Sequence, residues 1–121
     1  MQYVRLYSDP DGESHWEDMP VSLSEKTFAP PAKAIEVSDA QAAQSFLFLR
    51  LRAGWDEPVH PTPSPQTLIC LRGEVRVTAS DGDTRMVGPG DVWAMEDTHG
   101  KGHLTQVVSD VDFECVIVQH G

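Results

Sequence analysis

Residues 54–73 decide the fold class of this chain, and they read GWDEPVHPTPSPQTLICLRG. The prolines at positions 61, 63 and 65 cannot donate to a sheet ladder, so we expect an edge strand or an irregular extended run there. Side chains two residues apart in an extended chain face the same way. A polar set that continues into an apolar row then predicts the floor of a pocket. The side chains on that face are His60, Thr62, Ser64 and Gln66, followed by Leu68 and Cys70.

The neighbouring segments alternate between apolar and polar residues, which is typical of half-buried strands. The apolar run 67–72 predicts a strand that is buried on both faces. Further strands are predicted at 92–96, 103–108 and 113–119, and an Asp-Gly pair at 81–82 predicts a hairpin turn. Two alternating segments, 45–52 and 74–79, should each place three apolar side chains on one face: Leu47, Leu49 and Leu51 in the first, and Val75, Val77 and Ala79, pointing inward, in the second.

Helix signals are nearly absent, since nine Gly and nine Pro are spread through the chain. Residues 38–44 predict a turn or, alternatively, a short helical piece. The first forty residues are less regular, with a connector at 28–32 and one further short strand at 34–37. Short strands with regular spacing and Gly or Asp turns predict an all-β sandwich or barrel, and 121 residues suffice for one domain.

The composition excludes several classes of partner. Nine Lys and Arg against 19 Asp and Glu give a net charge of −10, which disfavours a nucleic-acid or anionic-membrane surface. The apolar runs are far shorter than the roughly 20 residues of a membrane-spanning helix, and the first residues lack the apolar core of a signal peptide. We therefore expect a cytoplasmic protein, in which Cys70 and Cys115 act as small buried hydrophobes.

The spacing within residues 54–73 resembles the first motif of the cupin family. Its five positions are occupied by Gly54, His60, Thr62, Gln66 and Gly73, where cupins usually carry Gly, His, His, Glu and Gly. The second motif begins near Gly90-Asp91-Val92, and its histidine is either His103, with an insertion, or His99, with a deletion.

The resemblance implies a single cupin domain over residues 1–121, folded as an antiparallel jelly-roll barrel. The motif-bearing barrel should cover about 45–119, after N-terminal strands and a connector at 1–44. It also implies a homodimer, which would cover the strand edges of a small barrel.

Cupins usually bind one divalent metal inside the barrel through three His and one Glu. The matching positions here are His60, Gln66 and His103, and Thr62 stands where a ligand is expected. Gln in place of the Glu also occurs in some metal-binding cupins. A hydroxyl is a poor ligand for Mn, Fe, Ni or Zn, so the sequence predicts weak metal binding or none.

Three functions remain open at this point. An enzyme would perform lyase, dehydratase or isomerase chemistry on a small polar metabolite, with His60 and His103 catalytic and His60 acting as general base or metal ligand. A binding or sensing module would use the same pocket without turnover, and a purely structural cupin would not use it. Glu96 and Asp97 could form an acid/base pair, although alternation lets at most one face the pocket. The predicted substrate contacts are Thr62, Gln66, Trp93, His99 and Lys101.

Overall fold

The computed structural model describes all residues from 1 to 121 and is built from strands and loops, without a helix. It therefore contains no helix long and apolar enough to cross a membrane. The eleven strands are β1 (Gln2–Ser8), β2 (Ser14–Pro20), β3 (Ser24–Lys26), β4 (Ile35–Val37), β5 (Ser45–Leu51), β6 (Gln66–Arg72), β7 (Val75–Ala79), β8 (Thr84–Val87), β9 (Val92–Glu96), β10 (His103–Val107) and β11 (Phe113–Gln119).

Two sheets enclose the core. The larger one has the strand order β2-β1-β9-β6-β11-β5, the smaller one has the order β10-β7-β8, and β3 pairs with β4 in a separate hairpin. Two isolated bridges, Asp56 to Gln106 and His60 to His103, extend the smaller sheet beside β10. The all-β prediction is confirmed, and the fourteen side chains of the core cluster fill the space between the sheets, with Leu6, Val75, Val77, Val87 and Phe113 completely buried.

Strands with strict alternation fold as the sequence predicts. In β7, Val75 and Val77 are fully buried while Arg76 between them is exposed, because successive side chains of a strand point to opposite faces. The turn between β7 and β8 holds Gly82 at a φ of 92°. A hairpin turn of this kind favours glycine because its backbone is left-handed.

Two local predictions are wrong. Strand β6 is not buried on both faces: Leu68 and Cys70 point into the core, whereas Leu71 is 55% exposed. The reason is that the larger sheet is covered by the smaller one on its inner face only. Residues 38–44 form no helical turn and run as an irregular segment into β5.

The N-terminal strand contributes more to the fold than the sequence indicates. Strand β1 lies inside the larger sheet, antiparallel to the edge strand β2 and parallel to β9, so the barrel is not entirely antiparallel. Leu6 of β1 is fully buried and Trp16 of β2 is 7% exposed. The alternation of Val4 and Leu6 with polar and aromatic neighbours was the signal for this strand.

The edge strand β2 is attached to the β7–β8 hairpin through a histidine. Nε2 of His15 lies 2.7 Å from Oδ2 of Asp9, and its Nδ1 lies 2.8 Å from Oδ2 of Asp81. Hydrogen bonds to Asp9 and then to Asp81 raise the pKa of His15 above 6.5. The same contact lowers the pKa of Asp9 below 3.8, so the contact between the two side chains is strongest when the ring is charged and Asp9 is ionised.

We expect this group to make stability depend on pH. A histidine whose pKa is raised on folding stabilises fully below its unfolded pKa, and the contribution disappears as pH rises through the folded pKa. The unfolding free energy of the protein should therefore decrease as pH rises above about 6.5, and more steeply than that of His15→Gln. Urea titrations over this range measure the difference, and His99→Gln, an exposed loop histidine, is the control. Equal slopes in all three proteins would contradict the expectation.

The cysteines are buried and unbridged. Burial raises the pKa of Cys70 to about 11 and that of Cys115 to about 12. Both thiols therefore stay protonated near neutral pH, which agrees with their expected role as small hydrophobes.

Candidate functional site

A cavity of about 240 Å³ lies inside the barrel, lined by sixteen residues of which nine are hydrophobic. Its apolar walls come from strands of the larger sheet and from the core, including Leu49, Leu68 and Phe113. The polar side chains in this lining, Glu57, His60, Thr62, Gln66, His103 and Thr105, come mainly from the run before β6 and from β10.

A larger depression of about 610 Å³ lies elsewhere, between the loops at 20–22 and 38–41 and one part of the larger sheet. It contains neither His60 nor His103, and its lining histidine, His120, is bonded to Thr67 and to a backbone carbonyl. The interior cavity is the better candidate because imidazole and carboxylate groups converge there.

His103 is held by a buried hydrogen-bond chain. Its side chain is 2% exposed, and Nδ1 lies 2.5 Å from Oδ2 of Asp97, which is completely buried. The hydroxyl of Thr62 donates to Oδ1 of the same carboxylate over 2.8 Å. Because the carboxylate accepts from Nδ1, the other ring nitrogen, Nε2, is left to act as an acceptor or as a ligand.

The backbone brings His60 directly beside His103. The two residues exchange N–H···O bonds of 3.1 and 3.0 Å, and their ring centroids lie 5.3 Å apart. Nδ1 of His60 is 3.0 Å from the carbonyl oxygen of Pro58, and a carbonyl can only accept, so Nδ1 donates and Nε2 remains free. The side chain of His60 is 45% exposed and therefore lies at the mouth of the cavity.

Glu57 is a site residue that the sequence analysis missed. Its Oε2 lies 3.2 Å from Nδ1 of His60, and the ligand atoms of Glu57, His60 and His103 all lie within 4.8 Å of one another. Two imidazoles and one carboxylate form a donor set that suits zinc, iron and manganese. The only sequence signal was an acidic residue three positions before His60, in the irregular segment between Asp56 and His60.

Most of the predicted pocket residues do line the cavity, but one has a different role. Thr62 does not offer its hydroxyl to a ligand, because it donates to Asp97. The amide of Gln66 reaches only the sulfur of Met95, a weak acceptor at 3.4 Å. The indole N–H of Trp93 is buried and has no acceptor. Gln66 and Trp93 therefore keep unused donors.

Two predicted substrate contacts lie outside the cavity, so this part of the prediction is not supported. Lys101 binds Glu13 at 2.6 Å on the surface, and this hydrogen bond raises the pKa of Lys101. His99 is exposed in the preceding turn, where its carbonyl accepts from Ser8. Strand β10 begins at His103, so His103 is the histidine that enters the barrel.

Alternation also separates the two acidic residues at the end of β9. Glu96 points outward and lies 3.0 Å from Nε of Arg5, whereas Asp97 points inward to His103. The two carboxyl groups cannot act as a pair on one ligand, and Asp97 is the one that affects the cavity.

Solved structures with the same fold are known. One is a cupin 2 conserved barrel domain protein from Salinispora arenicola, with 17% identity and a TM-score of 0.54 over 84% of this chain and 76% of that chain. Another is the Cnp3 cupin domain of Schizosaccharomyces pombe, with 11% identity and a TM-score of 0.52 over 99% of this chain and 88% of that chain. No protein-family model and no curated protein matches the sequence significantly.

The chain therefore shares the fold of these two cupin domains. At these identities the likeness concerns the fold alone, so the function has to be argued from the cavity itself.

Proposed function

We propose that the interior cavity is a metal-dependent catalytic site that performs lyase, dehydratase or isomerase chemistry on a small polar metabolite. The observation that carries the proposal is the convergence of Glu57, His60 and His103, whose ligand atoms lie within 4.8 Å of one another. Perturbed or converging titratable groups at the wall of an otherwise apolar cavity are typical of binding and catalytic sites.

Glu57 changes the expectation about the metal. The prediction of weak or absent binding rested on Thr62 and Gln66, which are poor replacements for His and Glu. Glu57 supplies the missing carboxylate, so the chain has a three-donor set for a divalent cation such as Mn, Fe, Ni or Zn. A bound cation would act as a Lewis acid on a carbonyl or hydroxyl oxygen.

The hydrogen-bond acceptors of the two histidine rings also suit metal binding. Ligating histidines usually donate their second ring N–H to a carboxylate or a backbone carbonyl, which sets the tautomer and the ring orientation. Here Asp97 accepts from His103 and the carbonyl of Pro58 accepts from His60. Both Nε2 atoms are therefore left with a lone pair for a cation or, without one, for a proton.

The remaining residues determine what can bind. A volume of 240 Å³ corresponds to about eight waters of liquid volume, so only a small metabolite fits. The unused amide N–H of Gln66 favours a substrate with carbonyl or carboxylate oxygens. The apolar walls exclude water, which strengthens these interactions.

Metal binding provides the direct test. Metal-free protein titrated calorimetrically with Zn²⁺ or Mn²⁺ should bind about one ion per chain. His60→Ala removes a direct ligand of the metal. Its affinity should therefore fall at least as far as the loss of about 10- to 100-fold that follows when a hydrogen-bond partner of a ligand is removed. His99→Ala, which alters an exposed histidine outside the cavity, should bind like the unmodified protein. Unchanged affinity in His60→Ala would exclude this donor set and leave His60 as a general base.

A non-catalytic binding module is the second candidate, favoured by the nine hydrophobic residues of the lining. It predicts that small carboxylates raise the melting temperature of the protein without being converted. Product analysis after prolonged incubation of the metal-loaded protein distinguishes the two functions. We place either function in the cytoplasm, since Cys70 and Cys115 face each other on paired strands as free thiols, which suits a reducing compartment.

A further inference from the structure

Strand β5 forms an edge of the larger sheet that no other segment covers. It is the last strand in the sheet order and pairs only with β11. Beyond that ladder, no backbone hydrogen bond involves residues 45–51. The outer edge of β5 therefore presents a row of N–H and C=O groups that can pair with another strand.

The side chains of this edge are strongly apolar. Phe46 is 66% exposed, Phe48 is 74% exposed and Leu47 is 37% exposed. The seven residue pairs between β5 and β11 run in regular register, and β5 itself contains no Lys and no Pro. Proteins usually protect edge strands with such residues or with bulges, so a long apolar edge without them indicates an interaction surface.

The opposite edge of the same sheet shows the protection that β5 lacks. Strand β2 ends in Pro20, and its side chains bind the smaller sheet through Asp18 to Arg85 at 2.7 Å and His15 to Asp81 at 2.8 Å. Only one edge of the larger sheet is therefore open to a partner.

We propose that two copies of this chain associate by antiparallel pairing of their β5 strands around a two-fold axis. This inference is independent of the function proposed for the cavity. An open strand edge requires another strand as its partner, and in a two-fold dimer the same surface serves on both copies. The pairing consumes the open edge of the larger sheet in each copy, so this contact does not extend beyond the dimer.

The sequence of β5 is complementary to itself when the pair is centred on Leu49. On the outer face, Phe48 of each copy then lies opposite Arg50 of the other, and Phe46 lies opposite Arg52. On the other face, leucines meet leucines. Glu114 of β11 already binds the guanidinium of Arg50 with bonds of 2.8 and 2.6 Å, so the charge opposite the partner's Phe48 is neutralised. This complementarity favours a second copy over an unrelated strand.

Solution mass tests the proposal. Light scattering on the eluting protein should give twice the 13.3 kDa of one chain. Phe48→Lys should give a single-chain mass and an unchanged far-UV circular dichroism spectrum, since this side chain is largely exposed in the single chain. Leu71→Lys is the matched control, because Leu71 is an exposed apolar residue of β6 away from the edge, and it should remain dimeric. A monomeric unmodified protein, a dimeric Phe48→Lys, a monomeric Leu71→Lys or open-ended assembly would each overturn the proposal.

A disulfide cross-link tests the register. Under oxidising conditions, a mixture of Phe48→Cys and Arg50→Cys chains should form a covalent heterodimer, whereas Phe48→Cys alone should form none. The native thiols should not interfere, because Cys70 and Cys115 are buried. Efficient cross-linking of Phe48→Cys with itself, or no cross-linking in the mixture, would overturn the register centred on Leu49.

Discussion

Gly102→Ala is expected to lower the unfolding free energy by at least about 3 kcal/mol and to abolish metal binding in the cavity. The backbone of Gly102 has a φ of 76°, and an added Cβ would lie 2.1 Å from the carbonyl carbon of His60. That distance is far inside van der Waals contact with backbone atoms, which cannot rotate away. The substitution must therefore push apart the two strands that hold His60 against His103.

Gly82→Ala separates the two parts of this effect. Gly82 has a similarly left-handed φ of 92°, but an added Cβ would meet no atom within 4 Å. This control should cost only the conformational penalty, about 1–2 kcal/mol, and should leave metal affinity unchanged. Urea unfolding and calorimetric titration with Zn²⁺ measure both quantities. If Gly102→Ala and Gly82→Ala lose the same stability and show the same metal affinity, the close approach of Gly102 to His60 does not maintain the site.

Asp97→Ala is expected to produce the second large effect, a loss of about 3–5 kcal/mol of unfolding free energy. Its carboxylate accepts from Nδ1 of His103 and from the hydroxyl of Thr62, and all three side chains are buried. Removal of the shared acceptor leaves two buried donors without a partner. Chemical unfolding measures this cost.

Whether Asp97 positions His103 is tested by a property that does not depend on stability alone. Asp97→Asn keeps the volume, but its amide can serve as an acceptor for only one of the two donors. We expect its metal affinity to fall about 10- to 100-fold even under conditions where the protein is fully folded. Glu96→Gln alters the neighbouring carboxyl, which faces outward to Arg5, and should bind metal normally. Metal affinity retained in Asp97→Asn would show that Asp97 serves stability only.

The sequence predicted the all-β class and one wall of the cavity because these depend on local periodicity. Alternation with a period of two follows from the pleat of a strand, so Val75 and Val77 could be assigned to the core before their partners were known. The same rule, applied to the proline-rich run, put His60, Thr62 and Gln66 on one face, and all three line the cavity.

The sequence did not predict the set of groups that act together, because these come from segments far apart in the chain. Glu57 reaches the site from the irregular segment before His60, and Asp97 reaches it from the end of β9. Thr62 looked like a lost metal ligand, but in the fold its hydroxyl supports Asp97 instead. A side chain's partners depend on which strands are neighbours, and periodicity within one strand carries no information about that.

The sequence by itself therefore determined that this chain forms β-strands, which faces of them are apolar and where His60 lies in its motif. Only the tertiary structure decided that β1 enters the larger sheet parallel to β9, that His103 rather than His99 enters the barrel, and that Glu57 completes the donor set. The physical reason is that strand formation and facing follow from backbone geometry over a few residues. The pairing of strands and the convergence of side chains follow from long-range packing of the whole core.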